Sequence, residues 1–214
     1  MVLNTHLSLA HRRLYGMESG KSWRLYGHVS AATGSLSQAL SAPVATEVDT
    51  SLSAAIFVIN ASHGIDQRTV ELWHGFDEFL IPRILVITGF NEGLQDFDDA
   101  VLLAKRLLDD VATPYLVLHD DDGSPCALIN LKDMKINNYR TGQVIEADLE
   151  HHELLKEFRE EFLAQLEASG DDGFISGIFF PAIPVLLNDP EFNLGVDIVK
   201  KYLALLPPAL PSFS

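Results

Sequence analysis

Two nearly continuous apolar runs rich in β-branched residues, Ala55–Asn60 (AIFVIN) and Ile84–Thr88 (ILVIT), flank an amphipathic segment from Asp66 to Phe79. A strand without polar alternation must be covered on both faces. Two such strands joined through a helix lie parallel, with a right-handed crossover. This spacing predicts an α/β fold with a mostly parallel sheet flanked by helices. Val70, Trp73, Phe76 and Phe79 fall on one face of the intervening helix.

The pattern extends in both directions. Trp23–Tyr26 reads as a short strand, followed by a small-residue loop and a helix from about Ser35 to Leu40; a second helical piece is predicted over Thr46–Leu52. Asp96–Val111 reads as a helix turning Val101, Leu102, Leu108 and Val111 inward. Beyond Thr113 the segments Tyr115–Leu118, Ala127–Leu131 and Met134–Tyr139 are separated by turn residues and predict a small antiparallel sheet. Glu150–Ala168 is a charged helix with Leu155, Phe158, Phe162 and Leu166 at helical spacing, stopped by Gly170–Gly173. Phe179–Leu187 returns to buried-strand character, and Gly195–Leu205 is a last amphipathic helix.

With 214 residues, 47% of them hydrophobic, the chain can bury a core of one domain with a small insert. Thirty acidic residues against fifteen basic give a formal charge of −15, which argues against a phosphate-tracking surface and direct nucleic-acid binding. The single cysteine, Cys126, excludes an intramolecular disulfide and a multi-cysteine metal site. No apolar run has the ~18–20 residues of a membrane span, and no secretory signal is visible. A soluble cytoplasmic protein is expected. Neither the adjacent His151-His152 nor the acidic run Asp120–Gly123 has metal-ligand spacing, and the latter reads as a turn. Gly16–Ser22, GMESGKS, ends like a phosphate-binding motif but is one residue short and follows no clear strand.

Taken in order from Ser22 to Pro208, these pieces resemble the GTPase domain of elongation factor G and its paralogues, including that domain's insert. AIFVINASHGIDQRTVELW and IPRILVITGFN resemble the family's DGxxQT…W…xxPR and its guanine-reading strand. Cys126–Asn138 is similar to GVVDLVxMKA, with Met134-Lys135 at the Met-Lys; Ala147-Asp148-Leu149 is similar to IPxDLxxxAxxxR. Gly195-Val196…Tyr202-Leu203…Pro207-Pro208 resembles GVxPLLDAVxxYLPSP, where the family passes to its second domain. The resemblance implies a truncated P-loop GTPase-like sheet with a small α+β insert. Its divisions are an N-terminal segment (1–22), the first part of the core (23–112), the insert (113–175), the last strand and helix (176–208) and a tail (209–214). Without the later domains through which the family engages the ribosome, translocase activity is not expected.

The family binds GTP and Mg²⁺, and the resemblance identifies where. Its phosphate loop, GHSGSGKTTLxEAL, is similar to Gly27–Leu40, GHVSAATGSLSQAL. The Gly-Lys-Thr positions are Ala32, Thr33 and Gly34: a Cβ that disfavours the required backbone, a residue without charge and one without a hydroxyl. The guanine-reading Asn/Thr-Lys-x-Asp becomes Thr88-Gly89-Phe90-Asn91, so Asn91 replaces the base-reading aspartate. The Ser-Ala element falls near Asp189-Pro190. About a dozen residues separate Leu40 from Ala55, too few for the family's two further strands and its switch segments. Gly27-His28-Val29 copies the catalytic Gly-His-Val only superficially, and His28 reads as a loop residue. Vestigial nucleotide contacts are therefore Gly27, Ala32, Thr33, Gly34, Thr88 and Asn91, with no catalytic residue, no metal ligand and no cofactor expected.

The favoured expectation is a pseudo-GTPase acting as an interaction module with an unidentified protein partner. A weak GTP-binding protein using displaced groups such as Lys21 is one alternative, and a folded remnant without function is another. Loss of the two extra strands leaves Trp23–Tyr26 as a sheet edge. Residues 1–22 are expected to cover it, helped by the alternation His6-Leu7-Ser8-Leu9. Homodimerisation through the edge, or strand addition by another protein, are the other possibilities.

Overall fold

The computed structural model of the protein describes residues 20–28, 31–91, 96–189 and 192–207. In chain order the elements are β1 (Trp23–Gly27), α1 (Thr33–Leu40), β2 (Ala54–Asn60), α2 (Gln67–His74), β3 (Arg83–Thr88) and α3 (Phe97–Leu107). Then come β4 (Tyr115–His119), β5 (Pro125–Asn130), β6 (Lys135–Asn138), β7 (Val144–Glu146), α4 (Leu149–Leu154) and α5 (Lys156–Ser169). β8 (Ala182–Pro184), β9 (Leu186–Asp189), β10 (Phe192–Leu194) and α6 (Val196–Leu205) follow.

Strands β1, β2, β3 and β8 form a parallel sheet in that spatial order. Every residue of β2 and β3 is buried, which is why their sequences lack polar alternation. Helix α2 begins where Asp66 accepts hydrogen bonds from the Thr69 N–H and hydroxyl, both at 2.9 Å. It sets Trp73 against Phe57, ring centroids 4.9 Å apart, and Phe57 stacks on Tyr26 at 5.2 Å.

A buried charge lies at the amino end of β3. Arg83 is only 2% exposed and stacks between Trp73 and Phe180, its guanidinium carbon 4.8 and 4.2 Å from the ring centroids. It donates to the Trp73 carbonyl at 2.9 Å and to Asp77 at 2.5 Å. Burial disfavours the Asp77 carboxylate, but the hydrogen bonds from Arg83 and His74 outweigh it and lower its pKa.

Strands β4–β7 form an antiparallel sheet in sequence order. It is joined to the parallel sheet by the Ala112–Pro181 bridge and to α6 by the Tyr139 hydroxyl, which donates to Asp197 at 2.6 Å. Helix α5 is fixed to it by Arg159, whose Nε donates to the Leu131 carbonyl at 3.0 Å. A β9–β10 hairpin precedes α6. Among the described residues no helix is long and apolar enough to cross a membrane.

Several sequence expectations differ from the fold. Residues 46–52 form no helix; they run as bends and turns. α2 ends at Gly75 and a 3-10 turn follows, so Trp73 and Phe76 are buried while Phe79 leaves the helical phase and is 52% exposed. α3 stops at Leu107, with Val101, Leu108 and Val111 buried but Leu102 facing out at 55% exposure. The long charged helix is two helices meeting at Leu155; Phe162 is buried, whereas Phe158 is 44% exposed. Phe179–Leu187 divides after Pro184, and β9 turns away to pair with β10. β7 escapes sequence reading because all three of its residues are exposed.

The β1 edge is also closed differently. The Leu25 N–H donates to the Pro43 carbonyl at 2.9 Å, and the Leu25 carbonyl accepts from Ala45 at 2.8 Å. The connection after α1 therefore pairs with the middle of β1, which is not left open for another chain there. The expected cover by residues 1–19 lies outside the described residues.

Candidate functional site at the carboxyl ends of the parallel strands

Parallel α/β sheets present their clefts outside the carboxyl ends of the strands. Here β1 ends at Gly27, β2 at Asn60 and β3 at Thr88. The sequence-derived residues Gly27, Ala32, Thr33, Gly34 and Thr88 all lie at or just beyond these ends, so one end of the sheet gathers five of the six. Asn91, the sixth, is exposed beyond β3.

Gly27 is sterically fixed. A Cβ there would lie 2.3 Å from the Val58 carbonyl oxygen, and φ is 157°. The chain then passes His28, and residues 29–30 lie outside the described residues. Ala32 caps α1 in the left-handed conformation, φ 56° and ψ 29°. Alanine is held there in a left-handed backbone that its Cβ disfavours, at a cost of about 1–2 kcal/mol. Thr33 opens the helix with its side chain buried, and Gly34 faces open space. The Thr88 hydroxyl donates to carbonyls of Ile59 at 3.1 Å and Ala31 at 3.3 Å, tying β3 to the loop after β1.

A second knot joins β2 to β3. The Ser62 N–H donates to Asn60 Oδ1 at 2.9 Å, and the Ser62 hydroxyl donates to the Gly89 carbonyl at 3.1 Å. Gly89 has φ 67°, and a Cβ there would meet the Asn60 side chain at 2.4 Å. The position that the resemblance assigns to a lysine is therefore closed by asparagine. Sequence reading missed this pair, although Asn60, a lone polar residue ending an apolar strand, was a signal for a side chain bonding its own loop.

Between these knots lies a cleft of about 170 Å³ lined by His28, Ala31, Val58, Ile59, Asn60, His63, Gly64, Asp66 and Thr69. Its lining contains no lysine or arginine. Burial raises the pKa of Asp66, but the two Thr69 hydrogen bonds and the nearby His28 outweigh this, so the carboxylate lies below its usual range. His28 lines the cleft from the loop after β1. Lys21 does not approach it: it precedes β1, at the opposite end of the sheet, and donates to the Ala204 carbonyl at 2.6 Å. The first four residues of GMESGKS, 16–19, lie outside the described residues.

The remaining candidates are structural. The acidic run is a turn, with Gly123 N–H donating to the Asp120 carbonyl at 2.8 Å and Ser124 N–H to Asp122 at 2.8 Å. His151 bonds Asp148 at 2.6 Å beside the start of α4. Cys126 is buried, and burial together with Asp120 pushes its thiol up to about 11, a poor nucleophile. Among the described residues no three His, Cys, Asp or Glu side chains are grouped to hold a metal ion.

No protein-family model matches the sequence. Two curated relatives, each described as an elongation factor G-like protein, from Mycobacterium tuberculosis strains CDC 1551 / Oshkosh and ATCC 25618 / H37Rv, are 27% identical over 157 residues. The match covers 61% of this chain and 21% of each relative, so the chain corresponds to about a fifth of their length. A solved structure of a Thermus thermophilus protein superposes with a TM-score of 0.62 at 20% identity, covering 74% of this chain and 27% of the other. That likeness concerns the fold. By sequence, then, on a mixed α/β fold that a solved structure shares, the chain resembles one domain of an elongation factor G-like protein.

Proposed function

We propose that the chain is a translation-factor-type GTPase domain that has lost nucleotide chemistry and serves as a protein-interaction module. The observation that carries this reading is the set of residues at the carboxyl ends of the strands. Thr33 stands where a phosphate-binding lysine would be and keeps its side chain buried, Gly34 offers no hydroxyl for Mg²⁺, and Gly89 is closed in by Asn60. These residues do not fit GTP with Mg²⁺. Each missing charge-assisted contact is worth roughly 1.5–3 kcal/mol, and together, allowing for non-additivity, about 5–10 kcal/mol. A micromolar-to-nanomolar site is worth about 8–12 kcal/mol, so what remains is roughly millimolar. The direct pairing of β1 with β2 and the short 41–53 connection support the same reading, because switch segments that position water and neutralise transition-state charge have no room there. The expected setting is the cytoplasm, with a protein partner and no cofactor.

Calorimetry with GTP, GDP and Mg²⁺ tests the proposal. The expected result is no binding tighter than about millimolar; a micromolar dissociation constant for either nucleotide would overturn it. The triple change Ala32→Gly, Thr33→Lys, Gly34→Thr is expected to leave hydrolysis absent.

A further inference from the structure

The two sheets treat their outer strands differently. Leu25 in β1 is paired by Pro43 and Ala45, and β4 is anchored beside β8 through the Ala112–Pro181 bridge. Among the described residues β7 is paired on one side, by β6. Its register, Asn137↔Val144, Ile136↔Ile145 and Lys135↔Glu146, continues from Asn138 N–H donating to Gln143 O through to Ala147 N–H donating to Met134 O. In an antiparallel ladder this alternation points the Ile145 backbone toward β6 and the N–H and C=O groups of Val144 and Glu146 outward. Val144 and Ile145 are 61% and 55% exposed. Natural edges are usually protected by proline, lysine or a bulge, and β7 has none of these.

The charge beside this edge decides what fits it. From Val144 to Leu155, through β7 and α4, there are four acidic residues, Glu146, Asp148, Glu150 and Glu153, and no lysine or arginine, and all four are exposed. Lys135 of β6 partners Glu146, and His151 bonds Asp148. We propose that β7 accepts an extended cationic segment of a partner protein as a fifth strand. Val144 and Glu146 bond its main chain, Val144 and Ile145 cover its apolar side chains, and the acidic start of α4 attracts its lysines or arginines. A second copy is the poorer occupant. Two chains of formal charge −15 repel, and a three-residue edge buries far less than the ~1,200 Å² of a stable interface. This inference rests on the interaction-module reading and gives it a surface.

The probe is a fluorescent decapeptide of alternating lysine and valine, titrated by anisotropy against the full chain. A dissociation constant of about 10–100 μM is expected, weakening as salt is raised. Val144→Pro removes one outward donor without touching the β6 ladder and is expected to weaken binding at least about tenfold with the melting temperature unchanged. Should that variant fail to fold, the same peptide methylated at alternate backbone nitrogens is expected to lose binding to the unaltered chain. Equal affinity for Val144→Pro and for the methylated peptide, or no binding below about 1 mM, overturns the proposal. A self-association in sedimentation that Val144→Pro abolishes overturns it too, by making a second copy the occupant. Micromolar nucleotide affinity would sink the interaction-module reading while leaving this titration as it was.

Discussion

The parallel sheet and the antiparallel sheet solve burial in opposite ways. In the first, β2 and β3 are buried at every position, and aromatic rings from β1, β2 and α2 stack into one layer. In the second, burial falls from β5, with five of six residues buried, to β7, with none. The parallel sheet therefore carries stability, and its carboxyl end holds backbone at positive φ at Ala32 and Gly89. The antiparallel sheet has a side that stability does not require. A closed-in carboxyl end on one sheet and an exposed strand on the other are compatible because different forces maintain them.

Truncating one residue in each sheet tests this contrast most severely. Phe57→Ala removes a fully buried ring that touches Tyr26, Trp73 and Phe76, and is expected to cost about 3–5 kcal/mol in denaturant unfolding. Ile145→Ala should stay within about 0.5 kcal/mol. Similar losses at both sites would mean that the sheets share the load.

At the carboxyl end, Gly89→Lys restores the family's residue type but adds a Cβ at φ 67° against Asn60. A loss of about 2–3 kcal/mol is expected. Pairing it with Asn60→Ala should recover part of that loss, because the two positions touch. A fully additive double mutant would show that the asparagine does not close the site.

The buried arginine provides a pH test of the other end of the same sheet. The folded pKa of Asp77 is depressed, so its contribution is present above the unfolded value of about 3.9 and is lost as pH falls through the lower folded value. Asp77→Asn is expected to cost about 1–2 kcal/mol at pH 7 and to flatten the acid limb of thermal stability below about pH 4. An unchanged acid limb would mean that Arg83 is held by its two aromatic neighbours and the Trp73 carbonyl alone. The most modest change concerns Ala32. Ala32→Gly relieves the left-handed backbone and should raise stability by up to about 1 kcal/mol. A loss there would mean that the alanine side chain packs in a way its backbone does not reveal.

The parallel core was legible from residue order alone, because a strand buried on both faces must be apolar throughout and a helix beside it must be periodic. β2, β3, the start of α2 and the antiparallel turns follow from those rules within a residue or two, whereas α2 ends five residues before Phe79. The candidate site came instead from the resemblance, and the fold brings Gly27, Ala32 and Thr88 together where β1 and β3 end. How that site is closed came from packing. Asn60 and Gly89 are far apart in sequence, and nothing local says that one fills the space of the other. The same holds for Arg83, an expensive charge until Trp73, Phe180 and Asp77 surround it. Edges, too, were settled in three dimensions. Whether a strand's outward N–H and C=O groups find partners depends on which distant segment comes alongside: Pro43–Ala45 reaches the middle of β1, whereas among the described residues β7 is paired only by β6.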